Sequence, residues 1–576
     1  MSSNKDYNSA PKTNAVMADK REKKKAGLIR RIFKWIGLGL LSILLTGAVI
    51  LQAPWKVTTL LVIILAACTM LPKSLRKWFW LSAAGVVIAL IVWVFLPDDI
   101  EGWRPYTFDK ELAAMEAKGI IPAEENAATI YNQLLENYDS NAFDKDFLWG
   151  DLRDSILYEF GTRKDYPGVA LWLDDNQTLI IQLMRACEKD KCRFPISANL
   201  DDQAIKPPND FAAVTKFWLA DKRPSPMRHW SNLLGFSACN DIAEGRINQA
   251  IGKLTATLQM AKHLYQQSTI MDMLIGMAIE RQGVKQINKL VVTSDANDEY
   301  FSLLDRALQS IKHNWYSDLT EILDREKLMV KSLMCAMFYQ INSDGRIRLS
   351  RDTRSTMRAQ IGCLMTLEKS TWTPMDPDSY WEIKLTKATT IFLWFFVPST
   401  PEKTALIIDD IFKKYYAMTE PDFNWNDESQ FNLPSMTPNF RFLLEMFGKI
   451  MEPNYFGIHD TYFKTVAQNR GSQLIIALRR YKDKNGVWPK SLDDIKSIAP
   501  AETFIDPING DSFIYKLTED NFELYSKGEN NIDEDGQYDS RWDHKNRREI
   551  VEKDDLLIWP ERSSKDKEEN KGEQQQ

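Results

Sequence analysis

Apolar residues fall into three long runs near the start of the chain, Trp35–Gln52, Trp55–Leu71 and Trp78–Leu96. Each is close to the roughly 17–20 residues an α-helix needs to cross a bilayer. Aromatic residues stand near the ends of these runs (Trp35, Trp55, Trp78, Trp80 and Trp93), where interfacial anchors belong. Beyond Pro97 the pattern changes to apolar residues at spacings of three and four, which predicts amphipathic helices. One such run opens at 123–126 and passes through Ile130, Tyr131, Leu134 and Leu135, after a linker over 103–122. Others cover 169–186, 230–243, 245–261 and 270–290, with more expected over 298–344, 354–370, 380–396 and 401–418. A Pro-, Asp- and Asn-rich stretch at 419–437 reads as a linker. The last hundred residues combine a helix over 461–482 with two alternating stretches, Ser512–Leu517 and Asn521–Ser526, and a final strand over 556–560. The expected fold class is mainly α: three transmembrane helices, a large helical bundle region and a small C-terminal α+β module.

Charge orients the spans. Basic residues cluster at 20–25 and at Arg30 and Arg31, and Lys73, Arg76 and Lys77 mark the second connection, while Lys56 alone marks the first. The positive-inside rule then puts the N-terminus in the cytoplasm and everything after Pro97 outside it. The expected organisation is a basic cytoplasmic tail over 1–34, transmembrane helices over 35–97 and an exported helical region over 98–436. A C-terminal module over 437–560 and a disordered tail over 561–576 follow. This describes a multi-pass protein of a bacterial inner membrane with a large periplasmic region. A signal peptide is the competing reading of the first span, but its basic region is long and no small-residue cleavage site precedes Trp55. The net charge of −6, from 73 basic and 79 acidic side chains, makes no case for nucleic acid. The implied partners are the lipid bilayer and proteins of the cell envelope.

Catalytic signatures are missing from the sequence. It has no G-x-S-x-G, no H-E-x-x-H, no phosphate loop and no dinucleotide fingerprint. The histidines are His229, His263, His313, His459 and His544, and Asp460 beside His459 reads as a helix N-cap. Cys187 and Cys192 either close a small disulfide loop in an oxidising compartment or remain two thiols. Paired carboxylates of the glycosidase kind carry no sequence signature, so an enzyme stays open as an alternative.

The one place where residue types and spacing together specify chemistry is Asn531-Ile532-Asp533-Glu534-Asp535-Gly536. Oxygen-bearing side chains at Asn531, Asp533 and Asp535 occupy positions 1, 3 and 5 of a loop that Gly536 turns sharply, and Asp539 stands at position 9. Position 12 is Trp542 rather than a bidentate Glu, so this is not an EF-hand. Ca²⁺ takes six to eight oxygens in flexible geometry, and Mg²⁺ demands a stricter octahedron. Ser526 and Asn530 can add oxygens. The competing reading is an exposed acidic turn without an ion.

The order of motifs around this loop resembles the globular part of the major pseudopilin of the type II secretion system, its protein G. The matching residues are Ala477-Leu478-x-x-Tyr481, Asn485-Gly486-Val487-Trp488-Pro489, Leu492, Asp506-Pro507-x-x-Gly510, Tyr515 and Leu524-Tyr525-Ser526-x-Gly528, followed by the acidic loop. The module is therefore expected to be pseudopilin-like, and the resemblance implies a calcium loop closed by Asp554 and Asp555. The whole chain looks more like uncharacterised bacterial membrane-anchored helical proteins that end in such a module. A pseudopilin also carries a prepilin leader before a hydrophobic helix, which is not seen ahead of the first span or of residue 461. The expectation is a membrane-anchored envelope scaffold or interaction protein with a structural Ca²⁺. The alternatives are a type II secretion or pilus-assembly component and a periplasmic hydrolase.

Overall fold

The computed structural model describes residues 103–139, 161–194, 223–267, 269–294, 297–349, 400–420, 455–519, 521–543 and 548–560, with a few single positions beside them. The three apolar runs (single positions near 72–82 apart), the expected helices over 354–370 and 380–396, most of the 419–437 linker and the tail from 561 lie outside the described residues. Among the described residues, no helix is long and apolar enough to cross a membrane.

The chain divides into two units. In the first, strands β1 (Trp103–Pro105), β2 (Tyr339–Asn342) and β3 (Ile347–Leu349) form an antiparallel sheet in that order. This corrects the expected linker over 103–122 and the expected helix through 344. The β2–β3 turn explains the switch. Gly345 takes a positive φ of 77°, and Asn342 Oδ1 accepts the backbone N–H of Asp344 and of Arg346. A side chain that captures local amides competes with a helix continuing.

The second unit is mainly helical. Its helices are α1 (Asp109–Ala117), α2 (Ala128–Glu136), α3 (Pro167–Asp175), α4 (Gln177–Cys187), α5 (Pro224–Ala243) and α6 (Ile247–Tyr265), followed by α7 (Ile270–Thr293), α8 (Asp298–Ser310), α9 (Trp315–Phe338), α10 (Pro401–Ala417) and α11 (Tyr455–Asn485). Local chemistry sets their starts. Proline occupies the first turn of α3 and α5, where its missing N–H has no helical partner to lose. Thr269 caps α7 by accepting the Asp272 N–H, and Asn297 caps α8 by accepting the Tyr300 N–H. The α5–α6 turn uses Gly245 at a φ of 74° and is fastened by Arg246, whose Nε donates to Asp241 at 2.8 Å.

Two large apolar cores stand out among the described residues. One gathers Tyr131, Leu183, Trp230, Phe236, Met260 and Leu264 among α2 to α7. The other runs without a break from Leu254, Val284 and Leu304 of α6–α8 to Leu474, Phe522 and Trp559 of the C-terminal module. Each such side chain contributes about 1.5–3 kcal/mol on burial, so the module and the helices stabilise one another. Arg479 strengthens the join by donating to the Val291 carbonyl at 2.7 Å and the Ser294 carbonyl at 2.9 Å, around the C-terminus of α7, where cations are favoured. Arg480 pairs with Asp298 at 2.7 Å on α8.

In the module, α11 is longer than the 461–482 expected. Asp460 therefore lies inside the helix, paired with Lys464 at 2.9 Å, rather than capping it. A short 3₁₀ turn at Leu492–Ile495 is closed by a capping box between Ser491 and Asp494. The strands are β4 (Ile514–Leu517), β5 (Phe522–Ser526), β6 (Tyr538–Asp543), β7 (Arg548–Asp554) and β8 (Leu556–Trp559). They form an antiparallel sheet in the order β4-β5-β8 and a separate two-stranded ribbon, β6–β7. The ribbon was not expected, because its sequence, Tyr-Asp-Ser-Arg-Trp-Asp and Arg-Glu-Ile-Val-Glu-Lys-Asp, lacks a continuous apolar alternation.

Candidate metal centre

The ribbon grows out of the acidic loop and returns to it, and this brings distant carboxylates together. β6 and β7 pair with Tyr538 opposite Asp554, so the residues just before the ribbon meet those that end it. Glu534, Asp554 and Asp555 each place one carboxylate oxygen within 4.8 Å of the others. The three stand at the root of the ribbon, where β8 begins.

Backbone amides hold all three of these side chains in place. Asp554 Oδ2 accepts the N–H of Glu529 at 2.8 Å and of Asn530 at 3.0 Å. Asp555 Oδ2 accepts the N–H of Glu534 at 2.9 Å and of Gly536 at 2.8 Å. Glu534 Oε2 in turn accepts the Asp554 N–H at 2.7 Å. The second oxygen of each aspartate, Asp554 Oδ1 and Asp555 Oδ1, is buried and has no hydrogen-bond donor. Asp555 itself is only 1% exposed. Buried carboxylate oxygens without a donor are costly, and a coordinated cation or an ordered water satisfies them. Among the described residues, no lysine or arginine forms an ion pair with Glu534, Asp554 or Asp555. At an effective dielectric of about 20, two such charges within 5 Å repel by about 3 kcal/mol or more.

Burial pushes the Asp555 carboxyl up from the ordinary aspartate range, against the amides of Gly536 and Glu534, and the charges of Glu534 and Asp533 push it further. A divalent ion reverses the sign of that environment. The donor set is all oxygen, which suits a hard cation rather than zinc or copper. Two glycines make the room. Gly528, at a φ of 65°, lies so close to Asp554 that a Cβ there would stand 2.4 Å from its carboxylate carbon. Gly536, at a φ of 69°, carries one of the amides bound to Asp555. The turn from Asp506 to Gly510, whose Gly510 N–H donates to the Asp506 carbonyl at 2.8 Å, packs beneath. Asn509 donates to the Gly528 carbonyl at 3.0 Å and to the buried Asp506 at 3.1 Å.

Of the residues singled out from the sequence, the structure brings Asp554 and Asp555 together and adds Glu534, which alternate-position counting had passed over. The others are placed differently. Lys516 takes Asp535 at 2.6 Å and lies 3.5 Å from Asp533. Asp533 also accepts the Tyr525 hydroxyl at 2.6 Å. Asn531 turns its amide to Asp511 at 2.9 Å. Asp539 lies in β6 opposite Lys553. Lys516 thus relieves the crowding of the outer acids, Asp533 and Asp535, while the inner three have no such partner among the described residues. Ser526 is buried and its hydroxyl accepts the Gly528 N–H at 3.0 Å, and Asn530 Nδ2 donates to Glu534 Oε1 at 3.3 Å.

The remaining chemistry-bearing groups are built into the helical packing. Cys187 and Cys192 are both free thiols. Burial pushes both up, Cys187 to about 12. His263 is fully buried between the Tyr131 hydroxyl, at 3.1 Å, and the Lys189 carbonyl, at 2.7 Å, and burial lowers it to about 4. His459 stacks on Trp425 with ring centroids 3.9 Å apart, and burial lowers it to about 4. A second polar cluster went unnoticed in the sequence. Glu280 of α7, fully buried, accepts Asn469 Nδ2 of α11 at 2.7 Å and the Tyr265 hydroxyl at 2.6 Å, and lies 3.1 Å from His313 Nε2. Its signal was a carboxylate directly after the apolar run Ile275–Ile279, the one acid between Met273 and Thr293. Comparison of the chain with protein-family models, with curated proteins and with solved structures finds no match.

Proposed function

We propose that the protein is a membrane-anchored scaffold or interaction protein of the bacterial envelope, whose C-terminal α+β module binds a structural Ca²⁺ through Glu534, Asp554 and Asp555. The observation that carries the ion is the pair of buried, donorless oxygens, Asp554 Oδ1 and Asp555 Oδ1, beside a third carboxylate. Ca²⁺ fits better than Mg²⁺ because three carboxylates fixed by irregular loop amides make no regular octahedron, and carbonyls and water can fill the rest of a flexible shell. The cation's role is to order the loop and pin the root of the ribbon. Among the described residues, Glu280 and His313 serve each other inside the core. The cleft formed by Thr162, Tyr166, Phe236, Cys239 and Asn240 presents no carboxylate or histidine. Support for the membrane comes from the three apolar runs and from Leu75, Trp78 and Leu81, large apolar residues at a spacing of three that are more than half exposed.

Thermal unfolding of the full chain in detergent tests the ion. With Ca²⁺ at a hundred times its dissociation constant, the native state gains about 2.7 kcal/mol over the chelated protein, and the midpoint rises. An unchanged midpoint between Ca²⁺ and chelator removes the ion from the account. Reporter tags after residue 560 that are reached by protease only from the periplasmic side test the topology, and a cytoplasmic signal overturns it.

A further inference from the structure

We propose that occupancy of the Glu534–Asp554–Asp555 site controls the packing of α11 against α7, with β8 as the link. The proposal rests on the cation reading above and adds a consequence for the helical region some distance from the ion.

Three contacts make the link. Asp555 runs directly into β8, whose Leu556, Leu557 and Trp559 pair with Ser526, Tyr525 and Leu524 of β5. Ile558 of β8 is then seated on Gly471 of α11, so close that a Cβ at Gly471 would stand 2.6 Å from the Ile558 Cδ1. Two residues earlier on the same helix, Asn469 donates to Glu280 of α7 at 2.7 Å, while Gln473 fixes the Asn469 side chain by donating to its Oδ1 at 2.8 Å. Gln468, next to Asn469, accepts from Arg281, next to Glu280, at 3.1 Å. The strand that starts at the ion site therefore ends its contacts at a buried polar seam between α7 and α11.

The seam responds to small displacements because it is polar and enclosed. Glu280 and Asn469 are buried, and a buried hydrogen bond that lengthens leaves groups that water cannot reach. With the cation bound, the carboxylates are drawn together and Asp555 fixes the start of β8. Without it, their repulsion acts on Asp555, and the close seat of Ile558 on Gly471 carries any shift of β8 into α11. No gap at that contact absorbs the movement. Coupling of this kind is reciprocal, so a change at the seam alters affinity at the ion site by the same factor.

Hydrogen–deuterium exchange on the full chain in detergent, with CaCl₂ or with EGTA, reads this directly. Chelation is expected to speed exchange by about fivefold or more both around the site and in the stretches of α7 and α11 that flank Glu280 and Asn469, in line with ordinary coupling energies. Acceleration confined to residues 526–559, with the seam unchanged, overturns the coupling and leaves the ion site standing. No change anywhere, together with no heat on Ca²⁺ titration, overturns the cation reading and the coupling with it. The reverse measurement uses Glu280→Gln, which keeps the side-chain shape. Its Ca²⁺ dissociation constant is expected to rise about fivefold or more, and an unchanged constant in the folded variant contradicts the proposal.

Discussion

Glu280→Ala is expected to destabilise the protein by about 3–5 kcal/mol, the usual cost of removing one partner from a buried ion pair. The side chain is fully enclosed, and its loss takes the carboxylate from His313 and the Tyr265 hydroxyl and leaves the Asn469 amide only its long 3.5 Å bond to the Leu308 carbonyl. A lowered urea midpoint of the full chain measures the effect, and a change below about 1 kcal/mol, the range of an exposed pair, contradicts it. The same pair gives a pH dependence whose sign follows from its two partners. Burial pushes the Glu280 carboxyl up, but the His313 charge and the hydrogen bonds from His313, Tyr265 and Asn469 outweigh it, so the net shift is downward. Burial pushes His313 down, but the charge and hydrogen bond of Glu280 and the charge of Asp318 outweigh it against Arg470, so the net shift is upward. The Glu280 contribution is present above its unfolded value of 4.5 and is lost as pH falls through the lower folded value. The His313 contribution is present below its unfolded value of 6.5 and is lost as pH rises through the higher folded value. The pair therefore contributes fully between about pH 4.5 and 6.5 and weakens on the alkaline side. Denaturation midpoints of wild type and Glu280→Gln across pH 5–9 check this, since the variant loses the alkaline decline that belongs to the pair.

Gly528→Ala carries the second large effect. The residue combines a φ of 65° with a Cβ position 2.4 Å from both the Asp554 carboxylate carbon and its carbonyl oxygen. The left-handed backbone alone costs an alanine about 1–2 kcal/mol, and overpacking against fixed backbone adds about 1–3 kcal/mol. The clash also displaces Asp554, so the variant is expected to lose its calcium-dependent rise in melting temperature. Gly510→Ala separates the two contributions. Gly510 has a similar φ of 81° but open space around it, so this variant pays only the backbone strain and keeps its response to Ca²⁺. Equal losses of calcium response in both variants would show that the loop, rather than the contact with Asp554, governs binding.

Much of the architecture could be read from periodicity. The helices expected over 230–243, 245–261 and 270–290 correspond closely to α5–α7, because each has many apolar residues and a clear start, whereas the single helix expected over 169–186 is broken at Asn176 into α3 and α4. The hairpin β4–β5 and the strand β8 were equally visible as short alternating runs. What escaped was set by contacts distant in sequence. The β6–β7 ribbon is a polar two-stranded element without an apolar face to read. The β1–β2–β3 sheet pairs residues near 104 with residues near 341, a separation that local patterns do not report. The candidate site was legible in composition but not in membership. Alternation picked out Asn531, Asp533 and Asp535, whereas the fold turns those toward Asp511, Tyr525 and Lys516. Glu534 was hidden because its partners, Asp554 and Asp555, arrive only through the ribbon's register. Glu280 and His313 lie 33 residues apart, with no motif between them.

Shared burial also changes what the C-terminal module is. Alone, α11 would expose the face that Val284, Leu304 and their neighbours cover. Measurements on the module therefore belong on the full chain, where α7, α8 and α11 support the sheet that presents the carboxylates.

Calorimetric Ca²⁺ titration of three proteins tests the site most directly: wild type, Asp555→Asn and Asp535→Asn. The account predicts that wild type and Asp535→Asn bind one ion with similar affinity, because Asp535 is exposed and served by Lys516. Asp555→Asn, which replaces a buried donorless oxygen, should lose binding. Binding abolished by Asp535→Asn but retained by Asp555→Asn, or no heat from the wild type, would contradict it.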